Sequence, residues 1–378
     1  MIVIYEPWAI DEEHYIFNLS FLKVILNIYK DKEIIYLGNE NQIKKLKNIL
    51  NDEKIIYIRL KIAKQEKLNK IKFLYEELKN CLVLKNKIKK YDIEEIFVTT
   101  SYPQVILFTK ILLYNKKINY VMHGYLEWIN KKFKFWNLGF YMLPALKLLN
   151  KKKRYIVLGE SIKKNLVEKI SSLDSKIIVI DHPYIDLKKN KIKKNKIKKN
   201  KIKKIKIGTI GVANESKGND FLFLLETYLE KNQIKNVELY HIGKIEKEIL
   251  PKKTNVILPS KEKMLSEEEY NNYINELDYI LYFYPSSSYK LTASGAIFDA
   301  IFKEKPIIAI KNDYFEYIFN KSENIGYLCK DFEELKNKVK EISSREQNNE
   351  YFYQKNELKK LKKYFNPERI AYKSKNKF

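Results

Sequence analysis

The chain has only four histidines, His14, His123, His182 and His241, and each stands at or near the carboxyl end of a β-rich run. An imidazole or carboxylate in such a loop can take a proton from a substrate hydroxyl. Glu127, His123 and Glu6, in that order, are the candidate bases: Glu6 follows the first run, and Glu127 comes just after His123-Gly124. Gly124 permits close approach of a backbone or ligand. His14, Asn18 and Ser101 sit in neighbouring loops and, with Gly124, form a second set able to contact a polar substrate. Plainer readings stand beside these. His241 lies inside an apolar run and reads as a structural histidine, His182 precedes Pro183 and reads as a turn residue, and Glu6 and Glu127 suit helix caps or solvated positions equally well.

The elements that must place these residues alternate along the chain. Strands are expected at Ile2–Tyr5, Glu33–Leu37, Lys54–Arg59, Glu95–Thr100, Asn119–Met122, Tyr155–Leu158 and Lys176–Ile180, with helical patterns such as Tyr15–Tyr29, Gln42–Leu50 and Gln104–Tyr114 between them. The second half repeats the plan, with strands at Ile205–Ile210, Val237–Ile242, Asn255–Leu258, Tyr279–Phe283, Pro306–Ile310 and Gly326–Cys329. Its helices are expected at Asp220–Glu230, Ser266–Asn275, Ala293–Phe302 and Phe332–Ile342. Such alternation predicts an α/β protein with two doubly wound, Rossmann-like parallel sheets. In open parallel sheets ligands bind beyond the carboxyl ends of the strands. That is where the histidines fall, and in the second half Gly211, Gly243, Ser260, Pro285 and Lys311 occupy the equivalent places.

The predicted division is 1–187 as a first domain, 188–204 as a lysine-rich linker, 205–345 as a second domain and 346–378 as a helical tail able to pack back on the first. A length of 378 residues with 45% hydrophobic and 13% aromatic content supplies two cores. The net charge of +26 invites a nucleic-acid reading, yet the only arginines are Arg59, Arg154, Arg345 and Arg369. Base readout leans on the guanidinium fork. Twelve lysines lie between Lys188 and Lys206 in a repeated KIKKN unit, a pattern of self-repelling linker. No nucleic-acid partner is therefore expected. Two distant cysteines, Cys81 and Cys329, argue against a disulfide framework or zinc site and for a reducing compartment. The amino terminus lacks a signal-peptide pattern, and no run approaches the ~18 apolar residues of a membrane span. The expected location is cytoplasmic. The stretch 128–154 mixes lysines with Trp, Phe and Tyr, which suits peripheral contact with an anionic membrane at its inner face and equally a buried helix with a basic face.

Two motifs in the second half carry a resemblance. IGTIGVANESKGND puts Gly211 at a strand end and Lys217-Gly218 before a helix. It resembles the glycine loop and Lys-Gly element that open the donor domain of GT-B glycosyltransferases, with Val212 where a basic residue is usual. PSSSYKLTASGAIFDAIFKEKPIIAI is similar to the donor signature of the same superfamily, in the form of family 4. Two acidic positions flank a small-residue turn there, and they fall on Leu291 and Asp299. The resemblance implies two domains facing a central cleft. It implies a donor set of Gly211, Lys217, Gly218, Tyr289, Thr292, Ser294, Gly295 and Asp299, with Met264 and Leu265 as an apolar wall for the nucleotide base. Lys217 and the turn before the helix would hold a diphosphate, and Asp299 would accept hydrogen bonds from ribose.

The implied activity is transfer of a hexose-type sugar from a nucleotide-sugar co-substrate to a glycan or lipid-linked acceptor in bacterial surface-polysaccharide or lipooligosaccharide assembly. Neither a cofactor nor a metal is implied. The loss of the first acidic residue leaves retention or inversion open. A GT-B sugar-nucleotide epimerase and a non-catalytic nucleotide- or glycan-binding protein are the alternatives.

Overall fold

Ile, Val, Tyr and Phe dominate the short runs that become strands, and the runs covered on both faces, such as Ile2–Tyr5 and Ile307–Ile310, are continuously apolar. The computed structural model describes residues 1–11, 13–62, 69–130, 141–148, 150–187, 204–260, 263, 265–344 and 349–378. Most of the lysine-rich linker, Met264 and the 131–140 part of the basic-aromatic stretch lie outside them.

The first sheet comprises β1 (Ile2–Tyr5), β2 (Ile34–Asn39), β3 (Ile55–Leu60), β4 (Glu95–Val98), β5 (Ile118–Val121), β6 (Lys153–Val157) and β7 (Ile177–Val179). Their order is β3-β2-β1-β4-β5-β6-β7 and every pairing is parallel. The second sheet holds β8 (Ile205–Ile210), β9 (Val237–Ile242), β10 (Tyr279–Tyr282), β11 (Ile307–Ile310) and β12 (Gly326–Cys329), in the order β12-β11-β10-β8-β9, again all parallel. Strand order reverses between β1 and β4 in the first sheet and between β8 and β10 in the second.

The chain divides into two compact units. The first contains Met1–Ile185, Leu291–Ala293 and Tyr364–Phe378; the second contains Asp186–Lys290 and Ser294–Lys363. In the first, α1 (Tyr15–Ile28) packs against α13 (Pro367–Ser374), and the ring of Phe378 meets Phe97 of β4 edge-on at 5.5 Å. Asn366 caps α13 and Pro367 opens it, a pairing that suits a first turn without intrahelical N–H partners.

One expected strand is absent. Asn255–Leu258 forms only an isolated bridge, Ile257 to Tyr240, because Thr254 and Asn255 turn their polar groups to Glu226 and Glu230 of α7 (Phe221–Lys231). The helix expected from Ala293 begins at Ala296, as α9 (Ala296–Phe302), so residues 291–295 form a longer loop.

Two buried lysines hold the first unit together on its β5–β6 side. Lys153 Nζ donates to the carbonyls of Leu113 (2.8 Å) and Lys116 (2.5 Å), just past α4 (Pro103–Leu112). Lys110 Nζ donates to Ala145 O (2.5 Å) and Leu148 O (2.6 Å), closing α5 (Met142–Lys147). Lys110 serves carbonyls at the end of α5, and Lys153 serves carbonyls of the turn that follows α4. Desolvation lowers both groups to about 8.

Beneath β1, Glu77 of α3 (Lys70–Ile88) is buried beside Tyr5 and Cys81, and burial, reinforced by the charge of Glu6, pushes its carboxyl up to about 8 from 4.5. Between those pH values the folded chain keeps a proton that the unfolded chain releases. Stability from this group is therefore lost as pH rises through the window, by about 1.4 kcal/mol per pH unit. Glu77→Gln removes that loss, so its thermal midpoint should exceed that of the unaltered chain by more at pH 8 than at pH 5. Parallel midpoint-versus-pH curves would show that Glu77 does not carry the proton.

Candidate functional site

In the first unit the reversal of strand order is bridged by one carboxylate. Glu6, fully buried at the end of β1, accepts through Oε1 from the backbone N–H of Trp8 (2.9 Å) and Ala9 (3.0 Å). Its Oε2 accepts from the hydroxyls of Thr99 (2.7 Å) and Thr100 (2.8 Å), just past β4. These four donors occupy both oxygens, and through them Glu6 organises two loops. Ser101, expected on the substrate side, is also inward-facing, with its hydroxyl on Val98 O at 3.2 Å. Asn18 is buried and joins α1 to Gln42 of α2 (Glu40–Leu50) at 3.2 Å. Sequence reasoning missed Thr99 and Thr100, whose only signal was two hydroxyls closing the expected Glu95–Thr100 run.

Three of the four histidines meet in this unit. His123 stacks on Phe17 at 4.2 Å with planes 22° apart, His14 stands edge-on to it at 4.7 Å, and His182 at 5.5 Å. Phe17 also meets His182 at 5.1 Å, so one phenyl ring of α1 organises the cluster. His14 itself has φ +52 as the residue before α1, a backbone state that histidine tolerates better than most side chains.

His123 is only 9% exposed, and its Nδ1 has no hydrogen-bond partner among the described residues. Burial, reinforced by the neighbouring histidines, holds it well below 6.5. Burial lowers His14 and takes His182 down to about 3. The cluster is therefore neutral at physiological pH, the form in which imidazole accepts a hydrogen bond or proton. Gly124 follows with φ +101, and a Cβ there would meet no described atom within 4 Å.

Glu127 lies in the next turn. Its Oε1 accepts the N–H of Leu291 (2.7 Å) and its Oε2 the side chain of Asn130 (3.3 Å). Thr292, expected to touch the donor, places its hydroxyl on Gly124 O at 3.4 Å. Trp8, Tyr102, Tyr125 and Trp128 form an aromatic group around a Tyr102–Tyr125 hydroxyl contact of 2.6 Å.

In the second unit the loop after β8 is shaped by glycines. Gly211 has φ +85, and a Cβ there would meet nothing within 4 Å among the described residues. Gly243, after β9, is there because a Cβ would stand 2.0 Å from Gly211 O. Gly218 has φ +65 and presses on the backbone of Phe283, just past β10, where a Cβ would come within 2.6 Å of its oxygen. Loop and strand end thus close on each other where the strand order reverses.

Lys217 Nζ folds back onto Val212 O at 2.8 Å, next to Gly211. Desolvation lowers Lys217 against the opposing pull of Glu246. His241 is satisfied by Thr209 Oγ1 (2.8 Å) and Lys244 O (3.3 Å), a structural role.

Gly295 precedes α9 with open space around it, Ser294 is buried, and Asp299, one turn into the helix, accepts from Tyr270 OH at 3.1 Å. Tyr289 adopts φ +58 and stacks on Tyr284 at 4.5 Å and 9°, a left-handed backbone state of the kind held at functional loops. Leu265 is half-buried, and its expected partner Met264 lies outside the described residues. No group of three or more His, Cys, Asp or Glu among the described residues is arranged to hold a metal ion.

No protein-family model and no curated protein matches the sequence. Solved structures match in fold. Anabaena Alr3699/HepE in complex with UDP and glucose shares 12% identity over 100% of this chain and 99% of its own, with a TM-score of 0.67. A glycosyltransferase from Rickettsia africae shares 14% over 99% and 96%, TM-score 0.65. A putative UDP-N-acetylglucosamine 2-epimerase from Listeria monocytogenes shares 12% over 98% and 93%, TM-score 0.55. At such identities the likeness establishes architecture, and that architecture is the GT-B fold with its two Rossmann-like parallel-sheet domains.

Removing the Glu6 carboxylate takes the acceptor from the Thr100 hydroxyl and from the N–H groups of Trp8 and Ala9, and leaves the Thr99 hydroxyl only Tyr5 O at 3.4 Å. Glu6→Ala should cost on the order of 3 kcal/mol in stability, read as a lower midpoint in thermal or urea unfolding. A midpoint within error of the unaltered chain would mean that the loops do not depend on this carboxylate.

Proposed function

We propose that the protein is a glycosyltransferase that uses a nucleoside-diphosphate sugar bound by the second unit. The observation that carries this reading is the Gly211–Lys217 loop. An open glycine turn, a cation folded beside it and a tight seat against the end of β10 together suit a diphosphate. The open backbone at Gly295 and the half-buried Asp299 carboxylate suit the sugar and ribose hydroxyls, as expected from the sequence. HepE, a fold neighbour, is described in complex with UDP, so uridine is the first base to test.

In the transfer, an acceptor hydroxyl oxygen forms a bond to the anomeric carbon while the bond to the diphosphate oxygen breaks. The developing negative charge goes to the leaving diphosphate, where Lys217 stabilises it electrostatically. His123, neutral and followed by an open glycine, takes the proton that the acceptor hydroxyl loses as its oxygen bonds to the anomeric carbon. It takes precedence over Glu127, whose carboxylate is already engaged by Leu291 and Asn130. The proposed transfer uses no metal ion, so activity should persist in EDTA. The acceptor in this reading is a glycan or lipid-linked saccharide of a bacterial surface polysaccharide.

Thermal unfolding with UDP, GDP, CMP and ADP tests the donor site. One of the nucleoside diphosphates should raise the midpoint, with stabilisation of about 2.7 kcal/mol at a hundredfold excess over Kd, and Lys217→Ala and Asp299→Ala should abolish the shift. No shift with any nucleotide would remove the basis of the proposal. His123→Ala should keep the shift and lose roughly a hundredfold or more in kcat. In the unaltered enzyme the acid limb of the pH–rate profile should lie below 6.5, because burial depresses that imidazole. Conversion of the nucleotide sugar to an epimer without acceptor would overturn the transferase assignment.

A further inference from the structure

The first unit has a second polar feature, at the amino-terminal ends of β5 and β6, away from the loops that carry His123 and Glu6. A cavity of about 430 Å³ is lined by Ile93, Glu94, Asn115, Lys116, Lys117, Lys151, Lys152 and Arg154. Five of its lining residues are cationic and one is acidic. That acid, Glu94, is already paired with Lys32 at 3.0 Å. Lys117 and Arg154 are drawn inward onto Glu95, at 2.9 and 2.6 Å. Lys116, Lys151 and Lys152 have no acidic partner among the described residues, and the ammonium of Lys152 reaches only Asn115 O, at 3.0 Å. Unpaired like charges gathered at one cavity repel each other and favour an anion between them.

The walls are fixed. Lys153 Nζ holds the carbonyl of Lys116, and Lys110 Nζ that of Leu148. The chain segments that lead into this cationic cavity also expose apolar side chains: Ile111 is 66% exposed, Tyr114 69% and Leu148 49%. Asn150 Nδ2 donates to Tyr114 O at 3.1 Å, which ties that ring's backbone to the loop carrying Lys151 and Lys152. Soluble phosphate would need the cations alone. Exposed aliphatic and phenolic groups beside them fit a surface with phosphate outside and acyl chains beneath.

The geometry points to this pole as a docking surface for an anionic phospholipid bilayer, with lipid phosphates entering the Lys116–Lys151–Lys152 cavity and Ile111, Tyr114 and Leu148 entering the interface. It lies within the first unit and stands whether or not the proposed transfer reaction does. It differs from the expectation drawn from 128–154: the residues that build it come from 93–94 and 111–117 as well as 147–154.

The test is co-sedimentation of the full chain with phosphatidylcholine vesicles, with and without phosphatidylglycerol, at low salt. Binding should require phosphatidylglycerol. The triple variant Lys116→Glu/Lys151→Glu/Lys152→Glu should lose it about tenfold or more at an unchanged thermal midpoint. If that variant does not fold, Lys116→Gln/Lys151→Gln gives a smaller loss in the same direction. Tyr114→Ser/Leu148→Ser should weaken binding with the lysines intact, while shortening the 188–203 tract should leave it in place. Equal recovery with neutral vesicles would overturn the proposal, as would full binding by a folded charge variant. Loss of vesicle binding to low-millimolar glycerol phosphate would assign the cavity to a soluble phosphate ester instead.

Discussion

All strands of each sheet run the same way, and that single constraint decides where chemistry can be placed in this chain. A parallel sheet sends every strand-to-helix loop to one edge, and it opens a crevice where the strand order reverses. In the first sheet the reversal separates β1 from β4, and the Glu6 carboxylate spans it to Thr99 and Thr100. In the second it separates β8 from β10, and Gly218 closes it against Phe283. One crevice is tied by a buried carboxyl group with hydrogen bonds on both oxygens; the other by a glycine whose missing side chain lets two backbones touch. The histidines at one edge and Gly211 with Lys217 at the other follow from the same direction of the strands.

Much of this architecture is legible in the residues, because period and composition report what buries a strand on both faces. Ile2–Tyr5, Ile205–Ile210, Val237–Ile242 and Gly326–Cys329 match the expected runs at both ends. Asn255–Leu258 does not become a strand, since a short apolar run cannot reveal that Thr254 and Asn255 will find Glu226 and Glu230. Local sequence also shows that Gly211 and Lys217 lie close together.

Contacts between distant segments were not legible. Glu6 reads as a free acid until Thr99 and Thr100 arrive from some ninety residues away. The meeting of His14, His123 and His182 around Phe17 depends on three separate loops. Gly243 looks like one more strand-end glycine until its contact with Gly211 O appears. Each of these is a tertiary fact, set by strand order rather than by neighbours in the chain.

Burial also sets the electrostatics. It keeps the histidine cluster neutral and makes Glu77 a carboxyl that holds its proton near neutral pH. Lys110 and Lys153 tolerate their burial because helix-end and turn carbonyls surround their ammonium groups. The central claim is that the Gly211–Lys217 loop receives the diphosphate of a nucleotide sugar. Phosphorus NMR of UDP titrated with the protein tests it most directly. The account expects the β-phosphorus resonance to shift and broaden with the unaltered chain and to stay at its free position with Lys217→Ala. A β-phosphorus resonance that moves equally with both chains, or with neither, would contradict it.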